Sequence, residues 1–311
     1  MAVPVAPGYP QYSGSLISPM FSMDLLELFY CTSIYGEIST TEYSGNLESF
    51  GDQITFWQEP EVTIRDYEKG GTIIHDTIDS QPTTLVIDKA KDFSMVISQI
   101  DEKQIANWPS WRESFLKRAA YKLAQAIDTS LFSEIYMDVD VNNAGTAAGV
   151  VSHSYNLGTT GNPVAITSSN INQVLTYLHG VLDEQCAPRE NRYVVLPAIG
   201  YTTLLNSDLR AAYLTGMDIS PMINGRLPPQ VAGFNIYVSN FLLPVFDGGV
   251  NANCFQIPCG VKMATAFAAQ IDQTRVIEDK DSWDRYYQGL AVYGFKVLYP
   301  KGVAALYARF S

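Results

Sequence analysis

Charge is scarce in this chain. Only 17% of its 311 residues are Asp, Glu, Lys or Arg, against about a quarter in an ordinary soluble domain. What charge there is leans acidic, 32 carboxylates against 20 basic residues, for a net −12. A dedicated nucleic-acid binder needs Lys and Arg to neutralise phosphates, so that class is excluded and at most non-specific contact with DNA is left. Cysteine is equally thin. Cys31, Cys186, Cys254 and Cys259 are scattered and make no disulfide framework. No run reaches the ~18 uninterrupted apolar residues of a membrane span, so no membrane partner is expected. The opening MAVPVAPGYPQ has neither a basic n-region nor an apolar h-region, so no secretory signal is read and a reducing cytoplasm is the expected compartment.

Catalytic signatures are missing too. The three histidines, His75, His153 and His179, include no i, i+4 pair and no helical pairing with Cys or Glu, so each reads as a surface or packing residue. Cys254 and Cys259 lack CxxC spacing. No GxSxG elbow, GxxxxGK[ST] loop or GxGxxG turn follows a strand. The densest acidic cluster is Glu278, Asp279, Asp281 and Asp284, flanked by Arg275 and Arg285; it reads as a solvated face or a subunit contact. Paired carboxylates for glycoside hydrolysis stay open on sequence grounds, and with them a carbohydrate-active enzyme or lectin. No catalytic, cofactor-binding or metal-ligating residue is assigned, and the expectation is a non-enzyme.

What the chain has is aromatic surface and length. Nineteen Tyr, fourteen Phe and four Trp suit either a Tyr-rich core or extensive interfaces, where rigid amphipathic rings lose little entropy. Residues 1–50 read as an arm, with Pro4, Pro7, Pro10 and Pro19 favouring extended backbone. Within it Ser22 can cap a short helix carrying Leu25, Leu26 and Phe29. A β-hairpin is expected from Gln53 to Ser98: Ile54 and Phe56 alternate with polar residues on one limb, and Phe93, Met95 and Ile97 on the other. Its middle, Arg65 to Gln81, is too polar for any core, and Lys69-Gly70-Gly71 supplies a bend. Ordering such a tip costs roughly 1–2 kcal/mol per residue in backbone entropy, which another subunit can offset. Trp57, Arg65, Asp66, Tyr67, Glu68 and Lys69 are therefore the candidate subunit-interface residues.

The strongest helical signal follows. Trp111, Phe115, Ala119, Leu123, Ile127, Leu131 and Ile135 recur every four residues, Ser110 can cap the start, and Arg112, Lys117, Arg118 and Lys122 mark the other face. A helix of ~27 residues, ~40 Å long, is expected. Asp138 to Gly161 is Gly/Asn/Ala/Ser-rich and reads as an inter-domain connection. Beyond it lie a helix capped by Ser169, a buried strand Tyr193–Leu196, a helix through Leu204, a loop from Arg210 to Gln230, a strand Gly233–Ser239, and an alternating C-terminal segment from Val276 to Phe310.

Five segments in this order resemble the major capsid protein family of tailed bacteriophages, the Hong Kong 97-type fold. They are Gly51–Phe56, Thr84–Ser98, Leu123–Asp128, Tyr193–Pro197, and Gly233–Asn240 together with Gly289–Gly294. The resemblance implies an α+β chain in four parts: an N-terminal arm (1–50), an extended β-hairpin loop (51–99), a peripheral domain with a long spine helix (100–161 and 274–311), and an axial domain (162–273). It implies self-assembly into hexamers and pentamers of an icosahedral head around double-stranded DNA, with localisation in the virion and, during assembly, the host cytoplasm. Portal and decoration proteins are implied partners. Some relatives cross-link a loop Lys to an Asn of a neighbour's peripheral domain; Lys69 is present, but Val276 to Ser311 holds no Asn, so cross-linking is not expected. Some relatives also carry a cleaved scaffolding region ahead of the loop, of ~100 residues. Only about 50 residues precede the loop here, so any scaffolding protein is expected to be separate. An encapsulin-like nanocompartment shell is the alternative within the same fold, and the Pro-rich arm argues against it.

Overall fold

The computed structural model describes residues 33–42, 53–57, 62–66, 69–70, 72, 75, 82–105, 107–210, 221–280 and 282–310. The expected helix around Leu25 to Phe29 lies outside the described residues. The arm enters as a single turn, α1 (Tyr35–Ile38), followed by β1 (Gln53–Trp57), β2 (Pro82–Val86), β3 (Lys89–Ser98), α2 (Gln99–Gln104) and α3 (Trp108–Glu134). The remaining elements are β4 (Val164–Ile166), α4 (Ile171–Glu184), β5 (Arg192–Leu196), α5 (Ala198–Leu205), α6 (Pro221–Asn224), β6 (Gln230–Val231), β7 (Phe234–Val238), β8 (Val245–Asp247), β9 (Ala252–Val261), β10 (Thr265–Glu278), β11 (Asp284–Val297) and β12 (Val303–Phe310).

Three sheets result. β1 and β2 form an antiparallel ribbon; β10, β11 and β3 form a second sheet in that order; and β4, β12, β9, β5, β7 and β6 run through a third, with β8 on β9. The third sheet holds the main core. Every residue of β5 is buried, as a strand between two neighbours must be when both faces are covered. On α4, Ile171, Val174, Leu175, Leu178, Val181 and Leu182 are buried at three- and four-residue spacing, the one-sided stripe that fastens a helix to a sheet.

Two strands sit elsewhere than the sequence order predicts. The residues expected to close the hairpin, Lys89 to Ser98, pair with β11 and not with β1. The ribbon ends at Val86, because Ile87 and Asp88 break the pairing and let β3 swing into the second sheet. The last strand, β12, leaves the C-terminal segment and inserts between β4 and β9. It is apolar on both faces, Val303 to Ala308 being buried throughout, so only a sandwiched position hides it.

α3 has the expected length of 27 residues. It starts two residues before Ser110, at Trp108, after Asn107 in the left-handed conformation (φ 61°) with Pro109 in the first turn. Likewise Asn170, not Ser169, precedes α4, and its side chain accepts a hydrogen bond from the Thr167 amide at 2.8 Å. Burial on α3 is confined to its second half: Gln125, Ile127, Asp128, Leu131 and Phe132. Trp111 and Tyr121, nearer the start, remain 51% and 45% exposed. The continuous stripe read from the sequence therefore serves two environments, a deep core at one end and a single sheet at the other.

Leu131 is fully buried where α3 meets the main core. Leu131→Ala should cost about 2–5 kcal/mol, read as a lowered midpoint in urea with an unchanged slope.

Candidate functional site

The described residues contain no group of three His, Cys, Asp or Glu side chains placed to hold a metal. Cys254 and Cys259 are both buried on β9, and burial pushes the Cys259 thiol up to about 12, far from a reactive thiolate. His179 is half-buried against Arg192 (3.1 Å from Nδ1) and Asp183; burial lowers its pKa, with the Asp183 carboxylate opposing. Arg192 is wholly buried, donating to Asp183 at 2.7 Å and to the carbonyls of Ala187 (2.7 Å) and Pro188 (2.9 Å). This cluster closes the turn between α4 and β5, and each member is committed to another. Of the acidic group near the C-terminus, Glu278 pairs with Arg285, which also reaches Glu102 of α2 at 2.9 Å. Asp279 and Asp284 both accept from Ser282. These contacts shape the β10–β11 turn and leave Trp283 76% exposed on it.

The features that stand out are surfaces. The first is the extended loop. Its root is fixed by one fully buried side chain, Leu85, which packs on Ala266, Ala268 and Leu298 with Ile54, Phe56 and Ile87 at the margin. Gly294 of β11 makes the crossing feasible, since a Cβ there would lie 2.2 Å from the Val86 carbonyl oxygen. Beyond the root, burial stops. Trp57, opposite Pro82 at the ribbon's end, is 73% exposed, and Val62 and Ile64 are 80% and 95% exposed. Arg65, Asp66 and Lys69 are exposed as well. Tyr67 and Glu68 lie outside the described residues. Gly70 has φ 91°, the left-handed backbone expected of a bend there.

The second surface is the outer face of the β10–β11–β3 sheet. Side chains alternate across it by register. Phe93, Met95 and Ile97 on β3 and Tyr287, Gly289 and Ala291 on β11 face α3. There Phe93 meets Phe115 at 6.4 Å and Tyr287 meets Trp108 at 6.1 Å between ring centroids. The opposite face carries Asp92, Ser94 and Val96, Gln288 and Leu290, and Arg275 and Ile277. Val96 is 56% exposed, and a shallow cavity of about 410 Å³ opens between Asp92, Ser94, Arg275, Gln288 and Leu290. Among the described residues this half-apolar sheet face is partly open, as a surface that takes a partner is.

The third feature escaped the sequence reading. Asp128, which looks like a polar-face residue of α3, is fully buried. Its two carboxylate oxygens accept from the arm, Oδ2 from the Ile34 amide at 3.0 Å and Oδ1 from the Tyr35 amide at 2.9 Å. Ile34 and Ile38 of the arm insert into the main core. Thr40 then exchanges backbone hydrogen bonds with β10, its amide to Thr265 at 2.8 Å and its carbonyl from Phe267 at 3.0 Å. A signal was available: an Asp four residues after Ala124 and three before Leu131 sits on the stripe's own side.

A Cβ on Gly289 would stand 2.2 Å from the Phe93 ring. Gly289→Val should therefore push Phe93 off α3 and destabilise the sheet by about 1–3 kcal/mol, with amide exchange rising in β3 before β5.

Solved structures share this architecture. One from Mycobacterium phage Che8 superposes with a TM-score of 0.74 at 23% identity, covering 94% of this chain and 97% of that one. The capsid of cyanophage P-SCSP1u gives 0.71 at 18% identity, with 95% and 94% covered. The capsid of a native GTA particle gives 0.62 at 13% identity, with 94% and 95% covered. At these identities the likeness is one of fold. No curated protein matches the sequence. The family described as phage capsid protein matches residues 81–306, most of the chain, from β2 through α3 and the second sheet into β12. The chain belongs to the phage capsid protein family, and its fold is the Hong Kong 97 type shared with those capsid structures.

Proposed function

We propose that copies of this chain assemble into hexamers and pentamers that close an icosahedral head around double-stranded DNA, and that the extended loop is the main strap between neighbours. The observation that carries this is the exposure of every described loop residue beyond a root whose one fully buried loop side chain is Leu85. An isolated strand pair is marginal in water, so the loop needs a second surface. Trp57, Arg65, Asp66, Tyr67, Glu68 and Lys69 are the proposed contact residues, and the open sheet face around Val96 and Leu290 is the proposed seat on the neighbour. Trp57 supplies the aromatic anchor and the alternating charges set the register.

The four-part division carries over as part of the proposal: arm 1–50, loop 51–99, peripheral domain 100–161 and 274–311, axial domain 162–273. Two strands modify it. β3 is counted with the peripheral sheet because it pairs with β11, and β12 with the axial sheet because it lies between β4 and β9. The proposed non-protein partner is the genome, in non-specific contact only, since the net charge of −12 opposes tight binding. The scaffolding protein is proposed to be a separate chain, with portal and decoration proteins as further partners, and assembly takes place in the host cytoplasm. No catalytic role is proposed.

The purified chain, examined by light scattering with negative-stain images of the same fractions, should give megadalton shells or tubes, alone or with co-expressed phage proteins. A species that stays monomeric or dimeric under both conditions would sink the proposal. Shells that carry nucleic acid point to a virus, and shells that carry enzyme cargo point to a nanocompartment. Deleting Asp66 to Asp79 should leave a folded chain that no longer assembles; normal shells from that deletion would refute the strap. Trp57→Ala should raise the protein concentration needed for assembly by tenfold or more, as loss of about 2 kcal/mol at a contact does.

A further inference from the structure

One apolar surface is left over once the loop and the open sheet face are accounted for. A groove of about 110 Å³ runs between the second half of α3 and the segment that leads into β8. Thr129, Phe132 and Tyr136 form one wall, and Phe241, Leu243 and Val245 the other. Phe132 is buried, but Leu243 and Val245 are 62% and 51% exposed. No charged residue lines the groove among the described ones. A dry cavity of about 150 Å³ holds a benzene ring, so the space suits one large apolar side chain. We propose that this groove is the dock of the arm segment just ahead of the described arm, residues 22–32 of the same chain, with Phe29 entering it.

The place where the described arm begins points to this occupant. The Ile34 amide donates to Asp128 at 3.0 Å, so the chain meets α3 one residue before Thr129 and one turn before Phe132. At 1.5 Å per residue those two lie only about 2–6 Å farther along the helix axis. Phe29 is five residues ahead of Ile34, and five residues reach up to about 18 Å. The arm's own core contact leads the same way. Ile34, Phe132 and Leu242 belong to one buried cluster, with Phe241 packed on its margin. The groove is thus the open edge of a cluster that the arm already enters.

The sequence of the segment fits the lining. Leu25, Leu26 and Phe29 fall on one side at helical spacing, while Asp24 and Glu27 fall on the other. Such a pattern calls for an uncharged apolar surface beneath it and leaves the carboxylates in water. The loop tip of a second copy fits less well, because Arg65, Asp66 and Lys69 would find no partner in an uncharged groove. Docked there, residues 22–32 cover Leu243 and Val245. The arm then has a second, apolar anchor beside the hydrogen bonds to Asp128.

Amide exchange in the unassembled full-length chain tests the dock, each rate referred to the unstructured rate. The peptide of residues 22–32 should be protected by about tenfold or more, and equally over a roughly hundredfold range of protein concentration. Leu243→Asp puts a charge into the groove at an exposed position. There the protection should fall by about tenfold, while peptides of residues 33–42 and of β5 keep theirs. An unprotected 22–32 peptide in the native chain overturns the dock, as does protection that the variant leaves unchanged. Protection that rises with concentration overturns it too, because the occupant is then a second copy. Should β5 also lose protection in the variant, thiol labelling decides. A maleimide should modify Leu243→Cys about tenfold faster in a Phe29→Ser background than with the native arm, with labelling at Cys31 and Cys186 resolved by mass. Equal rates refute the dock. Every readout concerns a single chain, so the dock stands or falls apart from shell assembly.

Discussion

The half-burial of α3 is the constraint on which the rest of the molecule depends. Its second half is locked in the main core through Leu131 and Phe132 and against Phe267 and Tyr293 through Ile127, while its first half meets the small sheet through Trp108 and Phe115. The helix is thus a beam that joins the β10–β11–β3 sheet to the large sheet. Polar ties reinforce it: Lys89 to Glu134 and Tyr293 to Ser130 bind it to the small sheet, and Asp128 binds it to the arm. Surface ion pairs contribute only about 0–1 kcal/mol each. Most of the stiffness therefore comes from the buried aliphatic and aromatic contacts, which do not weaken with salt.

A beam held firmly at one end has a consequence for the loop. The ribbon is fastened at Leu85 and Gly294, so its root is fixed in direction even though the described residues beyond it are exposed. On the proposed strap, a fixed root would raise the effective concentration of the loop at a neighbour's surface. Each contact can then be weak and reversible, which lets misplaced copies leave. The many contacts of a closed shell still add up to a stable whole. The two exposed aliphatic residues Val62 and Ile64 fit this use better than they fit an isolated monomer, where they would have been selected against as sticky.

How far the sequence told this in advance depends on which force dominates at each place. Where apolar periodicity rules, it was legible. The 27-residue helix, the fully buried β5, the helix after Pro197 and the strand at Phe234 all follow from spacing alone. Partner choice was not legible for β3 and β12. Alternation gives a strand its two faces but not the neighbour it bonds to, and β3 left the hairpin for β11 after a two-residue break at Ile87 and Asp88. Helix caps slipped by three residues at α3, from Ser110 to Asn107, and by one at α4, from Ser169 to Asn170, because caps are local: Asn107 adopts a left-handed backbone that precedes the helix ahead of Ser110. The interface candidates were read from polarity at a place where a core is absent, and four of the six are described as exposed. Asp128 was missed because a carboxylate on a helix is read as a solvent-facing residue. Only the fold brings the arm's backbone over it and reverses that reading.

The low and lopsided charge follows from the same architecture. Open faces such as Val96 with Leu290, and Trp283 at its turn, must be apolar enough to bury against a neighbour. A chain with so few charges would be adhesive if it were also neutral. A net −12 sets copies against one another only on close approach, within a Debye length of about 10 Å at 0.1 M salt. Contact is therefore opposed until two complementary faces come close, where short-range apolar burial outweighs the residual repulsion. A shell built from such a chain owes its cohesion to shape and apolar area, while like charge opposes association except where complementary faces meet.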